Sequence, residues 1–159
     1  MEVPFLSPVI TVEAGCGQDH DAHEAAYDGI AKFFTLDNIF ADHQPVTLLA
    51  DARRLELRRN AVVAFSDKPV FGINVTIDHA IDQHNFTVIE PGTVLGWVDH
   101  NQIDHFKIGG NRRREKVDNF FCATDYALRN IKPMRIFMTT TQAEMAKRDC
   151  LFYFVEENE

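Results

Sequence analysis

Apolar positions fall into short runs punctuated by Pro, Gly and Asp, with one longer segment of helical period near the start. From Ala22 to about Phe40, residues Ala22, Ala26, Ile30, Phe33 and Phe34 recur at spacings of three and four, which predicts an amphipathic helix. Asp19 and Asp21 stand at its start, where carboxylates cap free N–H groups and meet the positive end of the helix dipole. Before it, Val9 to Val12 reads as a strand that ends at the flexible Ala14-Gly15-Cys16-Gly17. Val46 to Ala50 reads as a strand after Pro45, Asp51 to Asn60 as a short charged helix capped by Asp51, and Ala61 to Phe65 as a return to strand.

Ile73 to Ile77 and Val94 to Val98 are β-branched runs, each ending in an Asp-His pair. Arg112 to Asn130 carries Val117, Phe120, Phe121 and Leu128 at helical spacing and stops at Pro133. Met134 to Met138 reads as a strand, Thr141 to Asp149 as a short helix and Leu151 to Val155 as a last aromatic strand, internal to its sheet in preference to an exposed edge that pairs with another chain. Runs apolar on both faces suit buried parallel strands. The pattern therefore predicts a single α/β domain over residues 1–159, a mostly parallel sheet with helices on both faces.

Composition supports a folded chain throughout. Of 159 residues 45% are hydrophobic and 25% charged, enough for one sizeable core. The net charge of -8 disfavours a general nucleic-acid or anionic-membrane surface, although Arg53, Arg54, Arg58 and Arg59, and Arg112 to Arg114, gather locally. Cys16, Cys122 and Cys150 are an odd count with no zinc or disulfide spacing, and no signal peptide or membrane span is legible, so the expected location is cytoplasmic.

Candidate chemistry lies in the Asp-His pairs. Five of the seven histidines directly follow an aspartate, where random placement gives fewer than one such pair. Carboxylate with imidazole is a ligand set that divalent cations accept. In an open α/β sheet, the ends of strands closing in Asp78 and Asp99 converge on the crevice beyond their carboxyl ends.

Asp19-His20-Asp21-Ala22 resembles the first motif of the DHH phosphoesterase superfamily, Ile77-Asp78-His79 its lone bridging aspartate, and Val98-Asp99-His100-Asn101 its naming motif. Ile103-Asp104-His105-Phe106 is similar to the continuation in the manganese-dependent inorganic pyrophosphatase and exopolyphosphatase branch. The resemblance covers roughly residues 9 to 106. It departs from the family at Gly15, where a ligand histidine is usual, at Asn101, and after Phe137-Met138, where a late aspartate is usual.

The resemblance implies a hydrolase of pyrophosphate, short polyphosphate or a small nucleotide, with manganese or magnesium held by Asp19, Asp21, Asp78 and His100. Asp99 and Asn101 are then the catalytic-site residues, Asp99 orienting a ligand, while His79, Arg112, Arg113 and Arg114 face the phosphorylated substrate. Two alternatives stay open: an inactive DHH-like binding protein, and a small acidic α/β interaction module, a homo-oligomer or a subunit with a protein partner.

Overall fold

The computed structural model describes residues 20–35, 49–110 and 115–157. The chain divides into two compact units, Met1–Thr47 and Leu48–Glu159. In the first, helix α1 spans His20–Thr35 with Asp21 in its first turn and Lys32 in its last, each suited to the helix dipole there. The expected helix is thus present over its described part. The strand expected at Val9 to Val12 and most of that at Val46 to Ala50 lie outside the described residues, and Leu49 and Ala50 form no strand.

The second unit is built of strands. β1 spans Arg53–Leu57, β2 Val63–Ser66, β3 Val75–Asp78, β4 Val88–Ile89, β5 Val94–Val98, β6 Phe106–Gly109, β7 Phe121–Thr124, β8 Ala127–Asn130, β9 Met134–Phe137 and β10 Phe152–Glu156, with helix α2 at Ala143–Arg148. Two five-stranded sheets result, in the orders β4-β9-β10-β1-β6 and β2-β3-β5-β8-β7. The first sheet is antiparallel throughout, and the second has one parallel pair, β2 with β3.

This corrects the expected fold class. A mostly parallel sheet sandwiched by helices is replaced by a mostly β unit of two sheets sharing one core. Alternation along the strands explains it: Leu55 and Leu57, Val75 and Ile77, Met134 and Ile136, and Phe152 and Phe154 are buried pairs two residues apart, so each strand sends one face inward. Both sheets contribute to the same apolar cluster. Phe121 of the second sheet meets Phe152 and Phe154 of the first edge-on, with ring centroids 6.1 and 5.3 Å apart. Such geometry adds to the area term because the positive ring edge meets a negative face.

Two expected helices are strands instead. Over Asp51 to Asn60 the charged residues suggested an exposed helix, yet Leu55 and Leu57 need the period of two that only a strand supplies. The intervening charges are neutralised: Glu56 lies 2.8 Å from Arg54 and 2.6 Å from Lys107. Arg53 is held by Glu115 at 2.6 Å, a hydrogen bond that raises the pKa of the guanidinium. Over Arg112 to Asn130 the described residues form a 3-10 turn at Val117–Asn119 and then the β7–β8 hairpin. Thr124 pairs with Ala127, leaving Asp125 and Tyr126 as a two-residue loop with φ of 51° and 65°. Both values are positive, as the tight turn that matches strand twist requires.

The expected strands at Ala61 to Phe65, Ile73 to Ile77, Val94 to Val98, Met134 to Met138 and Leu151 to Val155 are all present within a residue or two, as is the short helix at Thr141 to Asp149. The aromatic last strand is internal, flanked by β9 and β1.

Candidate functional site

Asp78 and Asp99 do close their strands, but the strands run in opposite directions. Val75 pairs with Val98 and Ile77 with Gly96, which sets Asp78 level with Leu95 and Asp99 level with Asn74. Four residues of strand, about 14 Å at roughly 3.4 Å per residue, separate the two ends. Two cations sharing a bridging carboxylate sit about 4 Å apart. Residues at Asp78 and at Asp99-His100 therefore do not fit one two-cation centre. Among the described residues no three His, Cys, Asp or Glu side chains gather as a metal site.

Asp78, His79 and His100 have local partners. Asp78 caps the 3-10 helix His79–His84, its Oδ1 accepting the Ala80 N–H at 3.0 Å. His79 and His100 lie beside their own preceding aspartates at 3.7 and 3.4 Å, with both imidazoles exposed. Asp21 is exposed on α1. Asp19, Arg112, Arg113 and Arg114 lie outside the described residues.

What the structure does assemble is a cleft of about 670 Å³ at the Asp99 end of the second sheet. Three segments form it: the loop Pro69 to Ile73, the strand end Trp97 to His100, and the hairpin turn Asp125-Tyr126. Hydrogen bonds stitch them together. Val70 N donates to Thr76 Oγ1 at 3.1 Å, which ties the loop to β3. Asp99 N donates to Asn74 O at 2.9 Å and Val98 N to Tyr126 O at 2.8 Å. Asn101, left-handed at φ 54°, accepts the Tyr126 N–H at its Oδ1. An asparagine tolerates that backbone because its short polar side chain bonds locally. Asn101 thus pins the hairpin turn and has a positioning role.

Thr76 and Trp97 are cross-strand partners, and both line the cleft. The lining is otherwise mostly apolar, with exposed Phe71 and Tyr126 at the rim. Its titratable groups include the carboxylates of Asp99 and Asp125 and the imidazole of His100, and among the described residues no Lys or Arg lines it. Such a surface can desolvate an apolar ligand and pair with a positive charge, but offers little to a phosphate. Sequence reasoning singled out Asp99 and His100 and missed Trp97, Phe71, Asp125 and Tyr126. The available signal was the single tryptophan of the chain, placed immediately before an Asp-His pair.

Among the described cysteines, Cys122 and Cys150 are free. Burial, followed by the Asp149 charge, pushes the Cys150 thiol from 9.0 up to about 12, so it is no nucleophile at neutral pH. The folded state keeps this proton where the unfolded chain has lost it. The stabilisation is therefore complete below 9.0 and is lost as pH rises toward about 12. In thermal melts over that range, Cys150→Ala should show a shallower alkaline loss of Tm than the parent chain. Identical slopes would remove the thiol from the account.

Among the described residues no helix is long and apolar enough to cross a membrane. No family model, curated protein or solved structure matches this chain, so the DHH-like motif order stands without a matching relative.

Proposed function

We propose that the chain is a binding protein whose ligand seats in the cleft between the Pro69 to Ile73 loop, the end of β5 and the Asp125-Tyr126 turn. One observation carries this reading: a concave space of about 670 Å³ whose lining is mostly apolar and aromatic, with its carboxylates confined to Asp99 and Asp125. Specific sites for small ligands have this composition, an apolar body with a few fixed polar groups. The hydrogen bonds that bridge its three segments supply rigidity before any ligand arrives, which lowers the ordering cost of binding. Free Cys122 and Cys150 support a reducing, cytoplasmic setting.

Trp97 makes the test direct, because the chain has one tryptophan and it lines the cleft. A screen of a small-molecule collection by thermal shift and Trp97 emission should yield ligands that raise Tm and change emission together. Tyr126→Ala should abolish both responses, and Asn101→Ala should weaken them by freeing the turn. Ligands that raise Tm without touching Trp97 emission would move the binding site elsewhere and overturn the reading.

The phosphohydrolase reading competes with this one through its motif order alone, since two of its proposed ligands, Asp78 and His100, lie at opposite ends of the β3–β5 pair. Phosphate release from pyrophosphate with millimolar manganese, lost in Asp78→Ala, would replace the binding reading with that one.

A further inference from the structure

We infer that the cleft selects a small organic cation, specifically an ammonium carrying methyl or other apolar substituents. The inference rests on the cleft being the ligand seat and adds the class of ligand. Three aromatic residues line the cleft, Trp97 with the exposed Phe71 and Tyr126, together with two acidic residues, Asp99 and Asp125. Among the described residues no Lys or Arg lines it. The chain as a whole carries 24 acidic residues against 16 basic ones, a net charge of the same sign.

Each ligand class meets this surface differently. An anion meets two like charges and finds no Lys or Arg in the described lining, only the His100 imidazole beside Asp99, so phosphates and carboxylates are disfavoured. A neutral apolar molecule gains from burial but leaves the carboxylates without counter-charge. A bare ammonium gains the charge but keeps its hydration, because the apolar walls supply few acceptors. A methylated ammonium satisfies both halves: its methyl groups spread the charge over an apolar surface, which aromatic faces attract, and the aspartates balance the charge.

Among the described residues neither aspartate has a Lys or Arg partner. The only ion pair of the Asp99 carboxylate among the described residues is with exposed His100 at 3.4 Å. Asp125 is held by its place in the turn, where its backbone is left-handed at φ 51°. Asparagine also tolerates that conformation, so Asp125→Asn removes the charge and keeps the turn. Asp99→Asn likewise keeps the backbone bond from Asp99 N to Asn74 O.

Choline and its uncharged isostere 3,3-dimethyl-1-butanol separate charge from shape, and titration of each against Trp97 emission in the full chain is the test. Choline should bind about tenfold more tightly than the isostere, and Asp99→Asn and Asp125→Asn should each erase much of that ratio while leaving the isostere unchanged. Equal affinities would overturn the cation inference and leave the cleft as an apolar binding site. Choline binding that ignores both Asp→Asn variants, or that leaves Trp97 emission unaltered, also overturns it. Silence from both probes in the millimolar range overturns the inference too, while the small-molecule screen on Trp97 emission judges the cleft separately.

Discussion

Gly96→Ala should cost the second unit about 3 to 5 kcal/mol, combining forced overpacking with a backbone conformation that belongs to glycine. Gly96 lies in β5 with φ at +156°, and a Cβ built there would stand 2.3 Å from Thr76 O and 2.8 Å from Ile77 Cα. Both obstacles are backbone atoms of the paired strand β3, so no side-chain rotation relieves them. The register between β5 and β8 also shifts between Val94 and Gly96, which concentrates the irregularity of the ladder at this residue. A loss of this size is a large share of the 5 to 15 kcal/mol that typically holds a domain together. Denaturant midpoints for parent and variant measure it, with Trp97 emission as a second readout, because separating β3 from β5 moves the Thr76–Trp97 pair that lines the cleft. A variant within about 1 kcal/mol of the parent, within the range of ordinary substitutions, would show that the sheet does not close on Gly96 as described.

That residue also shows why the sequence pointed to the wrong architecture while many of its elements were legible. Val94 to Val98 reads as a strand from its apolar run, and it is one. The inference to a parallel sheet followed from apolar residues on both faces, which in α/β proteins means helices on both sides. Here the second face of β5 has a different use: Trp97, with its partner Thr76, lines the cleft, and Leu95 and Val98 go to the core. Direction is invisible in such a run. Nothing in residues 75–78 and 94–98 taken alone says that Val75 lies opposite Val98, yet this antiparallel register is what parts Asp78 from Asp99.

The two misread helices failed for separate reasons. In Arg53–Leu57 charge hid the alternation, because Arg54 and Glu56 find each other and Lys107 on the strand's other face instead of reaching bulk water. In residues 117–130 the spacing of Val117, Phe120, Phe121 and Leu128 mimicked a helical stripe, and the turn that breaks it, Asp125-Tyr126, lacks the Asn-Gly or Asp-Gly signature of a two-residue hairpin loop. β4 and β6, at the edges of the first sheet, were not legible at all, being short and polar in part. Asp99 and His100 stand out in the sequence by their ligand chemistry, whereas the aromatic residues beside them become a lining only once the hairpin turn and the Pro69 to Ile73 loop are brought to the end of β5.

The shared core yields a prediction that separates the two architectures energetically. Phe154→Ala should destabilise the second unit by about 3 to 5 kcal/mol, the cost of removing a buried ring and leaving its space partly empty. Phe154 is fully buried in β10 and meets Phe120 and Phe121 edge-on, at centroid distances of 5.2 and 5.3 Å. Phe121 belongs to β7 of the opposite sheet, so the contact crosses between the layers. Chemical denaturation of Phe121→Ala, Phe154→Ala and the double variant should therefore reveal a coupling of about 0.5 to 1.5 kcal/mol beyond additive losses. Phe154→Leu, which keeps most of the volume, should cost well under half as much as Phe154→Ala. Residues 112–130 and 151–155 read as a helix and a strand would give no reason for these two rings to meet edge-on. Strictly additive losses would mean that Phe121 and Phe154 are buried independently, and the two sheets would then no longer share the core that sets β5, the hairpin turn and the cleft in place.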